Sequence, residues 1–108
     1  REIESLAGPI VQSLASDTTL ENFLWLCARA RMVLTVDGAA SHLAAAFGVP
    51  GLTLFGPTRL SNWHFPTKKN RALQAATDKD GKARLRNLTA AEVTATAEDL
   101  WASVANCR

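Results

Sequence analysis

The chain has 108 residues, of which 47% are hydrophobic and 20% charged, which allows a single domain burying roughly two thirds of its unfolded surface and excludes a disordered or collagen-like chain. Its net charge of +2 is too small for a nucleic-acid footprint. Lys68, Lys69, Arg71, Lys79, Lys82, Arg84 and Arg86 are interleaved with Asp78 and Asp80, the pattern of a solvated loop rather than a basic patch.

In chain order, Arg1–Ala7 reads as the tail of a helix stopped by Gly8-Pro9, because Gly closes helices readily and Pro cannot continue them. The chain opens inside this helical pattern without an initiator Met. It is therefore expected to be a piece excised from a longer, two-domain protein. Ile10–Leu14 follows as a short strand. Ser16-Asp17-Thr18-Thr19 supplies N-cap candidates for a helix from about Thr19 to Ala30, with Leu20, Phe23, Leu24 and Cys27 on one face.

Met32–Val36 and Leu52–Phe55 are apolar runs without strict alternation, as expected of strands covered on both faces. Between them, Ala40–Phe47 is a short helix that packs through its alanines. Arg71–Ala76 is a weaker strand, and Thr77–Asn87, polar and containing Gly81, is a loop or hairpin. Thr89-Ala90-Ala91-Glu92 has capping-box spacing. It opens a last helix that presents Val93, Ala97, Leu100, Trp101 and Val104 on its apolar face.

This alternation implies an α/β fold, a Rossmann-like parallel sheet flanked by helices, forming a single domain over residues 1–108. Cys27 and Cys107 lack metal-ligand or redox spacing and are expected to be reduced thiols, as in a cytoplasm. No apolar run approaches the roughly 18 residues of a membrane span, and no signal-peptide pattern opens the chain.

Ligands of such sheets bind beyond the carboxyl ends of the strands, where Asp37-Gly38 and Gly56-Pro57-Thr58 both fall. The first helical amides are unpaired and carry partial positive charge, and Gly38, Ala39 and Ala40 are small enough to admit an anion such as a diphosphate. The alternative is a tight turn with no ligand. Asp37 is expected to cap the helix through the amide of Ala39 or Ala40. A carboxylate about 4 Å from a phosphate would be repelled by roughly 4 kcal/mol at an effective dielectric of about 20, which places Asp37 beside hydroxyls or backbone donors instead.

His42, in the first turn, is disfavoured as a cation by the helix dipole but as a neutral ring still donates to a phosphate or sugar oxygen; otherwise it bonds a nearby carbonyl. Ser41 is a second donor or a helix-start residue. Gly56 permits close approach and Thr58 offers a hydroxyl. Trp63-His64-Phe65-Pro66 covers the sheet edge, and Thr18 and Thr19 cap a helix or touch a ligand. No nucleophile elbow, GxGxxG or Walker sequence occurs. Residue chemistry alone thus supports binding rather than catalysis.

The run Val36-Asp37 to His42-Leu43-Ala44-Ala45-Ala46, with Gly48-Val49-Pro50 and Leu54-Phe55-Gly56-Pro57-Thr58, resembles the heptosyltransferases of lipopolysaccharide synthesis, glycosyltransferase family 9. Thr18-Thr19-Leu20-Glu21 and Leu88-Thr89-Ala90-Ala91-Glu92-Val93 extend the resemblance over nearly the whole chain. It implies the carboxyl-terminal, donor-binding half of a GT-B glycosyltransferase that uses ADP-heptose or a related nucleotide-sugar. Transfer to the lipopolysaccharide precursor would proceed with inversion, without a required metal and with no cofactor, in the cytoplasm at the inner membrane, with the parent peripherally associated.

Carried over by position, Asp37, Gly38, Ala39, Ala40 and His42 would contact the donor's phosphates and sugar, with Thr18 near the adenosine. Gly38 replaces the family's Ser or Thr, and Ala39 its Gly. The family's catalytic base, an Asp in its amino-terminal half, and the Lys that meets the phosphates have no counterpart here, so catalysis by this chain alone is not expected and no catalytic residue is assigned. A non-catalytic nucleotide-binding or interaction module on the same scaffold is the alternative, with Gly38 and Ala39 as its sequence hints.

Overall fold

The structure, a computed structural model, describes Gly8 and residues 11–14, 17–57 and 69–105. Its elements are helix α1 (Leu20–Arg29), strand β1 (Val33–Val36), helix α2 (Ala39–Phe47), strands β2 (Gly51–Phe55) and β3 (Asn70–Gln74), a 3-10 turn at Leu85–Asn87, and helix α3 (Ala90–Ala105). The strands form one parallel sheet in the order β1-β2-β3. This is the α/β fold expected from the alternation of strand and helix.

Each helix boundary has a local chemical cause. Thr19 caps α1 by accepting from the amide of Asn22 at 3.2 Å. Gly48 ends α2 in the left-handed region at φ 70, where a side chain would be strained. At the start of α3, the Thr89 amide donates to the Glu92 carboxylate at 2.9 Å while the Glu92 amide donates to the Thr89 hydroxyl at 3.1 Å. That reciprocal pair is the capping box read from the sequence.

Alanine spacing explains how α2 approaches the sheet. Ala44 is fully buried, and a Cβ placed on Gly51 would come 3.4 Å from the Ala44 Cβ. Small residues on both partners therefore let this short helix lie close to β2. Helix α1 packs against α2, and α3 packs on β2. Leu52, Phe55 and Leu100 are the largest fully buried side chains.

Three expectations need correction. Val11–Leu14 do not form a strand, Ile10 lying outside the described residues; the Leu14 carbonyl instead accepts from the Asp17 amide and the Thr18 hydroxyl, which turns the chain. Strand β1 is covered on one face only: Leu34 and Val36 remain 51% and 50% exposed. The apolar helix faces are also narrower than their spacing implied, because Cys27 is buried on α1 while Leu20 is 75% exposed, and Leu100 is buried on α3 while Trp101 is 42% exposed. The readings of Arg1–Ala7, Pro9, Thr58, Trp63–Pro66 and Cys107 lie outside the described residues.

Leu52 sits on the central strand with no exposed surface. Its replacement by alanine is expected to cost about 2–5 kcal/mol through lost burial and the cavity left behind. Urea unfolding followed by circular dichroism would show a lowered midpoint with an unchanged slope.

Candidate functional site

The carboxyl edge of the sheet is built by ladder bonds that run beyond the strands. The Asp37 amide donates to the Leu54 carbonyl at 3.2 Å, and the Ala75 amide to the Phe55 carbonyl at 2.7 Å. Val36 is paired with Leu54, so Asp37-Gly38 and Gly56-Pro57 leave the same edge from adjacent strands. The two turns thus lie at the same edge of the sheet.

Gly38 is the N-cap of α2 and provides no side-chain cap. Its carbonyl accepts from the Ser41 hydroxyl at 2.7 Å and the Ser41 amide at 3.2 Å. This places Ser41 as a helix-start residue. The amides of Ala39 and Ala40 meet no acceptor among the described residues, since the expected cap from the Asp37 carboxylate does not form. Gly38 and Ala39 are exposed, whereas Asp37, Ala40 and His42 are half-buried. Two uncapped donors at the positive end of a helix are the elementary parts of an anion site.

Thr18 lies on the same edge, at the other helix start. The carboxyl ends of α1 and α2, with Val49, Pro50 and Lys69 at the starts of β2 and β3, line a cavity at the amino edge, so both helices begin at the carboxyl edge. The half-buried Thr18 donates its hydroxyl proton to Leu14 and, with Leu14, Thr19, Leu20, Phe23 and Leu26, lines an open, largely apolar groove of about 500 Å³. Residues 37–42 and Thr18 therefore share an edge, with α1 packed against α2 between them.

Gly56 approaches protein rather than open space. A Cβ there would lie 3.0 Å from Leu85 Cγ and 3.2 Å from the Leu85 nitrogen. Gln74 also holds this turn, its side-chain amide donating to the Gly56 carbonyl at 2.9 Å and to the Phe55 carbonyl at 3.2 Å. The segment carrying Leu85 is itself tied together by polar contacts. Arg84 pairs with Asp78 and Asp80, Asn87 donates to Asp78 and to the Ala76 carbonyl, and Thr77 bridges Ala83.

The sequence marks Thr77–Asn87 as a loop or hairpin, which the antiparallel bridge between Thr77 and Ala83 agrees with, and gives Gln74 no role beyond a weak strand. The available signals were a carboxamide ending an apolar strand and an Asp-x-Asp-Gly turn followed by Arg84 and Asn87. The larger cavity, about 780 Å³, sits at the opposite, amino edge and includes Arg29, Arg31 and Lys69. Two of those cations serve the chain's own helix ends: Arg29 is in the last turn of α1, and Lys69 donates to the Gly48 carbonyl at 3.4 Å.

The hydrogen bond from Asn87, followed by that from Arg84, holds the Asp78 carboxyl below its ordinary value of 3.8. Arg84 and the Lys82 amide do the same for Asp80. Above about pH 4 both groups are charged in the folded and unfolded chain and the ties contribute fully; as pH falls through the depressed folded values, that contribution is lost. Acid titration should therefore loosen Ala76–Leu88 before the sheet melts, seen as broadening of the Asn87 side-chain amide signals below about pH 4. Unchanged Asn87 signals down to global unfolding would contradict this order.

A family model described as glycosyltransferase family 9 (heptosyltransferase) matches residues 2–92. No curated protein and no solved structure matches the chain. None of the described helices is long and apolar enough to cross a membrane.

Proposed function

Glycosyltransferase family 9, the heptosyltransferases, is the family to which this chain belongs, and we propose that its carboxyl edge binds the diphosphate of a nucleotide-sugar donor. The observation that carries this reading is the pair of uncapped amides at Ala39 and Ala40, beside the exposed Gly38. A diphosphate there would accept from both amides at the positive end of α2. His42, within the same helical turn, would reach a phosphate or sugar oxygen as a hydrogen-bond donor.

The apolar groove beside Thr18 fits a nucleobase. Packed helices lie roughly 8–10 Å apart, a separation that a nucleoside diphosphate spans. Base and phosphate can therefore engage α1 and α2 together. Asp37 faces the sugar hydroxyls, where a carboxylate accepts hydrogen bonds without opposing the phosphates. We infer ADP-heptose or a related sugar as donor and a lipopolysaccharide precursor as acceptor.

In the transfer, an acceptor hydroxyl attacks the anomeric carbon, the glycosidic bond to the diphosphate breaks, and the departing diphosphate gains charge. The amides of Ala39 and Ala40 stabilise that charge as it develops. A helix terminus contributes only about 0.3–2 kcal/mol. Affinity of this chain for a free nucleotide should accordingly fall near a Kd of about 1 mM, or about −4 kcal/mol.

Titration with ADP, UDP and GDP, followed by amide shifts, should move Gly38–His42 selectively with ADP. Gly38→Asp separates the fold from the site, since a Cβ at Gly38 meets nothing within 4 Å. The new carboxylate caps α2, leaving stability unchanged or raised by a few tenths of a kcal/mol, while it occupies the anion position and weakens ADP binding at least about tenfold. Equal affinity in the variant and the wild type would refute the phosphate assignment.

A further inference from the structure

We propose that Gln74 and Leu85 are positioning residues for donor binding, holding the Gly56-Pro57 turn in the place from which it borders the α2 start. The inference rests on the donor site proposed above. It concerns residues that would touch no phosphate or sugar in that site.

Gly38 and Gly56 follow the carboxyl ends of paired, adjacent strands, so in this proposal the direction in which the chain leaves β2 sets one wall of the anion site. Three residues determine that direction. The Gln74 side chain donates to the Gly56 carbonyl at 2.9 Å and to the Phe55 carbonyl at 3.2 Å. The Ala75 amide donates to the same Phe55 carbonyl at 2.7 Å. Leu85 fills the space that a side chain at position 56 would need, within 3.0 Å of where its Cβ would stand.

Leu85 is held there by the segment on which it lies. Arg84, the residue before it, is paired with Asp78 and Asp80, and Asn87, two residues after it, donates to Ala76 and Asp78. The chain between β3 and α3 thus presses an apolar side chain onto the turn from one side. Gln74 pulls its carbonyls from the other. A buried carbonyl deprived of its donor must find another partner by rotating its peptide plane, and here that plane belongs to the turn beside the site.

The test compares ADP titrations of the wild-type chain, Gln74→Leu, Leu85→Ala and Thr89→Ala by amide shifts, with thermal midpoints measured on each. Gln74→Leu removes the donor while keeping most of the side-chain volume, and Leu85 is 39% exposed, so Leu85→Ala keeps the fold. Both should raise the ADP dissociation constant about fivefold to tenfold. The ADP-induced shift of the Gly56 amide should disappear, while those of Ala39 and Ala40 persist at saturation.

Thr89→Ala removes the α3 cap, lowers the thermal midpoint without touching the turn or the ties that hold Leu85, and should leave affinity within about twofold. A merely structural role would instead make affinity follow the thermal midpoint across all three variants, which would overturn the proposal. Wild-type affinity in both Gln74→Leu and Leu85→Ala would overturn it as well. Absence of any ADP response in the wild-type chain would remove the donor site itself, and this inference with it.

Discussion

Parallel pairing of β1 with β2 extends past the strand ends, and from that overrun the rest of the carboxyl edge follows. Once the Asp37 amide has bonded the Leu54 carbonyl, the chain must leave the sheet and begin a helix within one or two residues. Only a small residue keeps the helix start open to solvent, and Gly38 occupies that place. The uncapped amides of Ala39 and Ala40 are therefore a result of backbone register rather than of any reactive side chain. A site of this kind holds charge weakly and in a defined place, which suits a leaving group more than a tightly held cofactor.

The two sheet edges divide the electrostatic work. At the amino edge the helices end, and Arg29 and Lys69 lie at their carboxyl ends. At the carboxyl edge α1 and α2 begin, with Thr19 capping α1 and no side chain capping α2. That contrast singles out one helix start from the other. The larger of the two cavities described lies at the amino edge, so cavity volume by itself points away from the proposed anion site.

Much of this was legible from sequence because the signals were local. Thr89 and Glu92 specify a helix start by their own spacing, and the alanines of α2 its close packing on the sheet. What was not legible depends on partners distant along the chain. Gly56 read as room for a ligand, yet the space is taken by Leu85, a residue that no local pattern brings to it. Asp37 read as a cap, but bonding its amide to Leu54 puts it in the sheet ladder rather than at the N-cap. Leu34 and Val36 looked buried because apolar runs usually are in parallel sheets; β1 is an edge strand of the described sheet, and that position leaves them half exposed.

A crystal structure of the chain with bound ADP tests the central claim most directly. The expected result is a terminal phosphate oxygen within hydrogen-bond reach, about 2.7–3.2 Å, of the amide nitrogen of Ala39 or Ala40. A diphosphate seated at the amino edge, or α2 amides closed off by one of the chain's own carboxylates, would contradict it.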